Sequence, residues 1–350
     1  MKTANCGKLL SLISAAAFII LVIINPKICT EGAAKGLLLA GRVIIPSLFP
    51  FTACVLFIMY SDILYIFNFA APFTKKVFRI SPELFSLMLL SFIGGYPVGA
   101  KLLNEAVRSG RLSKKNAGIM LNYCVNAGPA FVVLAVGGRI LGSKEAGYVL
   151  LCSHIAASLI LSIFFGFFIK KEDAARKNNT DNSGTADNFV SAVSDSASAV
   201  FSVCAYVVFF STVNEYITYL SQKIPILKYL TALLEVTNAV TGMRNIVIIA
   251  FLLGFAGVSI WCQILSVGRL ISINFAVFVL SRTAHGLLSA LICYLLLKIF
   301  GIAVTVSNAV RCAPTYNGFT LTISMISMTI LLLIRIYGKK STGNILNDIV

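Results

Sequence analysis

Long apolar runs alternate with short polar breaks along the chain, and the runs have the length of membrane spans. A span needs about 20 predominantly apolar residues. Such segments lie at 9–25, 36–60, 84–100, 116–138, 146–169, 189–213, 244–260, 270–297 and 318–336. The pattern predicts an all-α polytopic membrane protein, and the gaps are too short to hold a soluble catalytic domain. One break stands apart: Lys170 to Asn188 is polar, has no hydrophobic period and reads as a flexible linker. It divides the chain into an N-terminal signal anchor with its connector (1–35), a first repeat (36–169), the linker (170–188), a second repeat (189–300), and a C-terminal span and tail (301–350).

The halves are related by a gap-free offset of 159 residues. It sets Phe51-Thr52 on Phe210-Ser211, Phe92 on Phe251, and Gly95-Tyr96 on Gly254-Phe255. It also sets Asn104 on Gln263, Leu121 on Leu280, and Asn126-Ala127 on His285-Gly286. Apolar sequences match easily, but one offset joining separate landmarks in one order predicts an internal repeat. Charge then orients the halves. With the N-terminus in the cytoplasm, and 84–100 entering and leaving on one side, the loops with Lys75, Lys76 and Arg79 and with Lys101 to Lys115 stay inside. Segment 189–213 then runs outward where 36–60 runs inward, so the repeats come out inverted, as in many secondary carriers. Arg335, Lys339 and Lys340 fall outside on this count, against the same rule.

Composition agrees with the membrane reading. Hydrophobic residues make up 58% and charged residues 12% of the chain, with a mean hydropathy of +0.90. The net charge of +16 lies in short clusters beside the spans, without the contiguous basic face and motif that nucleic acid requires. The nine cysteines show no Cys-x-x-Cys and mostly lie in apolar runs, as packing residues do. The N-terminal run resembles a signal peptide, but it has no small-x-small cleavage site before Pro26 and reads as an uncleaved anchor.

Three polar clusters interrupt the apolar runs. Gly94, Gly95, Pro97 and Gly99 lie within six residues, too dense for a continuous helix. Broken backbone at membrane depth needs protein or water around it. With Tyr96 and Lys101 this stretch predicts a re-entrant helix whose freed amides attract an anion. Asn122 and Asn126, four apart on one predicted helix face, precede the breaker Gly128-Pro129. Buried carboxamides there suit a polar substrate, or glue between helices. Arg282 and His285, with Thr283 and Gly286, lie inside the run 270–297 at i and i+3. An arginine there must face the protein interior, which suits a substrate contact or a titratable pair for proton coupling. His154 reads instead as a packed core histidine. Acidic residues in the spans are few, and no Ser-His-Asp order, metal cluster or phosphate loop occurs, so no enzyme and no cofactor are expected.

The motifs Gly94-Gly95-Tyr96-Pro97-Val98-Gly99-Ala100-Lys101, Asn126-Ala127-Gly128-Pro129 and Arg282-Thr283-Ala284-His285-Gly286 resemble those of the YlbJ (SpoVV) sporulation integral membrane proteins, as does the upstream Pro46-Ser47-Leu48-Phe49-Pro50-Phe51. The resemblance covers roughly residues 36 to 297. It implies the nucleoside-recognition, or gate, domain shared with concentrative nucleoside transporters. It further implies a role in spore cortex formation, placement in the mother cell's outer forespore membrane, and movement of dipicolinic acid. The readings this leaves are a carrier for a small organic anion, a non-transporting scaffold for cortex assembly, and a nucleoside carrier.

Overall fold

The computed structural model describes residues 2–61, 69, 71–170, 185–243 and 245–300. Among these the chain is helical, without a strand. The segment expected at 318–336 and most of the linker lie outside the described residues.

Helix α1 (Lys2–Ile24) ends before Pro26, whose ring cannot continue the ladder, and the chain bends by 106° into α2 (Pro26–Leu39). A π-helical turn over Ala40–Ile44 carries α2 into α3 (Ile45–Tyr60), so residues 26–35, expected as a connector, are helix. Packing accounts for this. Gly32 and Gly36 let α2 lie close against α9 (Thr185–Ser221), where a Cβ on either would stand 2.7 Å from Cα of Thr212 or 2.6 Å from Cα of Val208. An ion pair from Lys35 to Glu215 and a hydrogen bond from Tyr60 Oη to Asp195, both 2.6 Å, add polar ties between these helices.

Helix α4 (Ala71–Val77) meets α5 (Pro82–Gly94) at 80°. Ser81 caps α5 by accepting from the Leu84 amide, and Pro82 sits in the first turn, where no intrahelical donor is needed. The chain then turns at Gly95 into α6 (Tyr96–Arg108), which folds back on α5. A Cβ on Gly99 would lie 3.2 Å from that of Ser91, eight residues earlier, which a straight helix cannot allow. Segment 84–100 is therefore interrupted, as its glycines predict.

The next segment departs from expectation. Helix α7 (Lys114–Met120) is short, the chain is not helical over 121–128, and a π-helix occupies Ala130–Ile140. Asn122 and Asn126 therefore do not share a helix face. The break begins well before Gly128-Pro129 because side chains from distant segments take its backbone groups, as described below. Helix α8 (Lys144–Gly166) then crosses as expected.

In the second half, α9 is followed by two short helices that the hydropathy pattern does not reveal, α10 (Leu227–Leu234) and α11 (Val236–Gly242). Helix α12 (Ile246–Phe255) and α13 (Gly257–Val267) are separated by Ala256, which is left-handed at φ 72°. Together they form one 22-residue apolar stretch long enough to cross a membrane. The second half is thus broken where the repeat predicts, but it does not fold back as α5 and α6 do. Helix α14 (Phe275–Phe300) is continuous.

Four helical stretches are long and apolar enough to span: Lys144–Gly166, Ala186–Ser221, Ile246–Val267 and Phe275–Phe300. The count rises to six if each bent pair forms one span. The chain is accordingly an integral membrane protein. Its main core gathers α5, α6, α8, α12 and α14 around the segment 114–140, with a second cluster between α2, α3 and α9. One side of α14 turns Leu280, Leu287 and Leu291 outward, an apolar surface suited to lipid.

Candidate functional site

The site grows from one physical need. A chain that leaves helical geometry at 121–128 frees amides and carbonyls, and buried backbone groups must find partners. Here the partners come from α8 and α14. Arg282 Nη1 donates to the Val125 carbonyl at 2.6 Å, and Nη2 donates to the Asn122 carbonyl. Ser158 Oγ, at 2.6 Å, and Asn126 Nδ2, at 2.8 Å, both donate to the Tyr123 carbonyl. His154 Nε2 accepts from the Ala127 amide at 2.9 Å. Arg282 is thus a brace for unwound backbone.

The histidines complete the centre. The imidazoles of His154 and His285 stack with centroids 4.4 Å apart and planes 31° from parallel. The rings' neighbours settle their tautomers. Arg282 Nη1 must donate, so His285 Nδ1 accepts from it at 3.1 Å, while Nε2 carries the proton and donates to the His154 carbonyl at 3.0 Å. His154 accepts at Nε2 and carries its proton on Nδ1. Tyr96 stands edge-on to His154 with centroids 6.4 Å apart, and its hydroxyl donates to the Leu253 carbonyl at 2.6 Å. Phe278 faces the Arg282 guanidinium, whose carbon is 5.8 Å from the ring centroid. Arg282, Asn126, His154 and His285 are each 0% exposed.

Two properties mark this cluster as more than packing. Among the described residues Arg282 has no carboxylate within ion-pair distance, although an isolated buried charge is costly. Arg282 Nε, His154 Nδ1 and Asn126 Oδ1 are also buried without a hydrogen-bond partner. Buried polar atoms usually have a partner, so three in one cluster leave it capacity for further hydrogen bonds.

The three sequence clusters are therefore brought together, apart from one member. Gly95, at φ 89° and ψ 179°, adopts a conformation open essentially to glycine alone, and it packs against Gly128. Gly99 meets the unwound segment so closely that a Cβ would collide with the Cys124 carbonyl oxygen. Pro97 lies in the first turn of α6, Gly94 packs on Val98, and Pro129 opens the π-helix. Gly286 touches Gly254, which joins α14 to α12. Asn122 Nδ2 donates to the Gly118 and Ile119 carbonyls, and Asn122 Oδ1 accepts from Ser281 Oγ at 2.9 Å. Asn122 and Ser281 are 159 positions apart, the offset of the repeat. Lys101 is the exception. Its Nζ lies 3.0 Å from Glu105, whose other oxygen is 2.5 Å from Arg108 Nε, so its charge is answered within α6 rather than at the break. His154, read from sequence as a packed core histidine, is fully buried and hydrogen-bonded as expected, and its stacking on His285 sets it beside the other polar residues of the centre. The signal that could have found this stacking was rarity: both of the chain's histidines fall in apolar runs.

Cavities flank the cluster. Gly95, Tyr96, Pro97 and Gly128 line one of about 50 Å³, with the buried Glu235 and Gln263. A second space, of about 630 Å³, is an open and mostly apolar groove between α7, α8 and α14, where exposed Phe164, Phe168 and Leu280 join Asn122 and Ser281 in the lining. Arg282, Asn126 and the histidines line neither and form the packed polar centre beside both.

No model of a known protein family matches the chain, and no solved structure matches it. It is similar to the sporulation integral membrane protein YlbJ of Bacillus subtilis (strain 168), with 22% identity over 344 aligned residues that cover 84% of each protein. This likeness supports assignment to the YlbJ family and agrees with the resemblance carried by the three motifs.

Proposed function

We propose that the chain is a sporulation membrane protein that carries a small organic anion, dipicolinate, across the outer forespore membrane and so serves cortex formation. The observation that carries this reading is the buried Arg282, a permanent cation with no carboxylate partner among the described residues, set where unwound backbone meets broken helices. A guanidinium held by neutral carbonyls keeps an uncompensated charge in a buried site, and a carboxylate neutralises that charge while matching the planar fork with two hydrogen bonds. An anionic ligand therefore has a physical reason to displace those carbonyls. The two halves act as inverted repeats that meet at this centre, and the flanking cavities serve as its approaches. The centre works as a carrier rather than as an enzyme, and the arginine favours a carboxylate over a nucleoside.

Uptake into vesicles holding the purified protein tests the reading. Labelled dipicolinate should enter saturably and labelled uridine should not. Vesicles that took up uridine alone would point to a nucleoside carrier. Vesicles that took up neither would point to a non-transporting scaffold for cortex assembly.

A further inference from the structure

The lone pair of His285 that could take a proton is already engaged by a cation. Nδ1 is the ring's free acceptor, and Arg282 Nη1 donates to it from 3.1 Å. While the guanidinium stays there, a proton on Nδ1 would set two donors and two positive charges against each other.

We propose that the chain moves its anion together with a proton, and that His285 Nδ1 is the atom that takes it. This rests on the anion-carrier reading above. A carboxylate entering the centre draws the guanidinium away from the Asn122 and Val125 carbonyls and, with them, from His285 Nδ1. The vacated lone pair then accepts one proton from the aqueous phase. One N–H bond forms, the imidazole becomes an imidazolium, and Nε2–H keeps its bond to the His154 carbonyl. Arg282 and one imidazolium together match the two carboxylates of dipicolinate, so the loaded centre carries no net charge. An unloaded centre has nothing to offset an imidazolium beside Arg282.

The surroundings hold the site to a single proton. His154 stacks on His285 at 4.4 Å, and its Nε2 is occupied by the Ala127 amide, so a second positive charge there is opposed by both geometry and repulsion. The other titratable groups near the pair are Tyr96 of α6 and Cys124 of the unwound segment, both buried. Helix α12 carries no titratable side chain: Leu253 and Gly254 meet the centre through backbone, and the Phe251 ring packs at Gly286. Glu235 is the carboxylate nearest Tyr96, on the side of the smaller cavity.

Purified protein in weakly buffered detergent at neutral pH provides the test, with dipicolinate as the probe. Saturating ligand should remove about one proton from solution per site filled, the stoichiometry expected of one coupled pair. In vesicles with no membrane potential, an exterior one pH unit more acidic than the interior should raise the steady-state accumulation of dipicolinate roughly tenfold over equal pH on both sides, as one coupled proton gains a factor of ten per pH unit. His285→Gln should bind more weakly than wild type at neutral pH and show neither proton uptake nor a response to the gradient. Should that variant fail to fold, the wild-type proton count still decides. Saturable binding with no proton uptake overturns the coupling alone. Absence of saturable binding overturns the carrier reading and the coupling with it.

Discussion

The two halves of this protein solve the same problem differently. In the first half, α5 and α6 fold back on one another at Gly95, and the following segment unwinds from 121 to 128. In the second half, α12 and α13 break at Ala256 but run on across one apolar stretch, and α14 is continuous for 26 residues. The intact helix supplies the groups the broken segment lacks: Arg282, His285 and Ser281 of α14 all reach toward 122–125 or the histidine beside it. Two halves that were both unwound would lack these donors, and two that were both continuous helices would lack the freed backbone groups. The difference between the halves makes the polar centre possible.

The largest expected effect lies where the hairpin meets the unwound strand. Gly99→Val should place a branched side chain onto the Cys124 carbonyl, and overpacking of this kind costs about 3 kcal/mol or more. The protein should fail to accumulate in folded form, read by monodispersity after detergent extraction. Gly138 is a control on the same half, because a Cβ there would meet its nearest neighbour at an ordinary 3.5 Å, so Gly138→Ala should extract normally.

Next is the brace itself. Arg282→Gln removes the charge and leaves at least one of the two carbonyls without its donor. Losing a charge-assisted contact costs a few kcal/mol, or about a hundredfold in affinity for dipicolinate. Arg282→Lys should recover only part of it, since a point charge does not reproduce a planar fork. Titration calorimetry on detergent-solubilised protein would show both.

Smaller effects separate the halves more finely. Ser158→Ala removes a hydrogen bond to the unwound Tyr123 carbonyl and should lower stability by about 1 kcal/mol. Ser289→Ala on α14 removes a buried hydroxyl that has no partner, and it should leave thermal stability unchanged or slightly raised. The least is at the second break. Ala256 bears a left-handed conformation that costs a non-glycine residue about 1 kcal/mol, so Ala256→Gly should stabilise modestly, less the entropy glycine loses on folding.

These contrasts also show how far the sequence could be read. Apolar runs near span length located α8, α9, α12 and α14, and the density of glycine and proline at 94–99 located the hairpin. Polar residues at helical spacing inside an apolar run marked Arg282 and His285. The unwinding of 121–128 was not legible, because its cause is remote. The donors and acceptors that hold it come from residues 154, 158 and 282, and no local propensity encodes them. The stacking of His154 was hidden for the same reason, since it depends on a ring 131 positions away. Lys101 was misread in the opposite sense: a cation beside a break suggests an anion, but Glu105 one turn later already answers it. The break in the second half has two left-handed residues, Ala256 and Gly257, and its glycines at 254 and 257 are sparser than those at 94–99, so the sequence marks it more weakly.

The central claim is that the unpaired arginine at the unwound segment binds the anion, and one comparison tests it most directly. Equilibrium binding of labelled dipicolinate should be measured for wild type, Arg282→Gln and Lys101→Gln, each shown to be folded and monodisperse. The account predicts saturable binding by wild type, a roughly hundredfold loss for Arg282→Gln, and wild-type affinity for Lys101→Gln, whose lysine is engaged by Glu105. A folded Arg282→Gln protein that bound dipicolinate as tightly as wild type would contradict it.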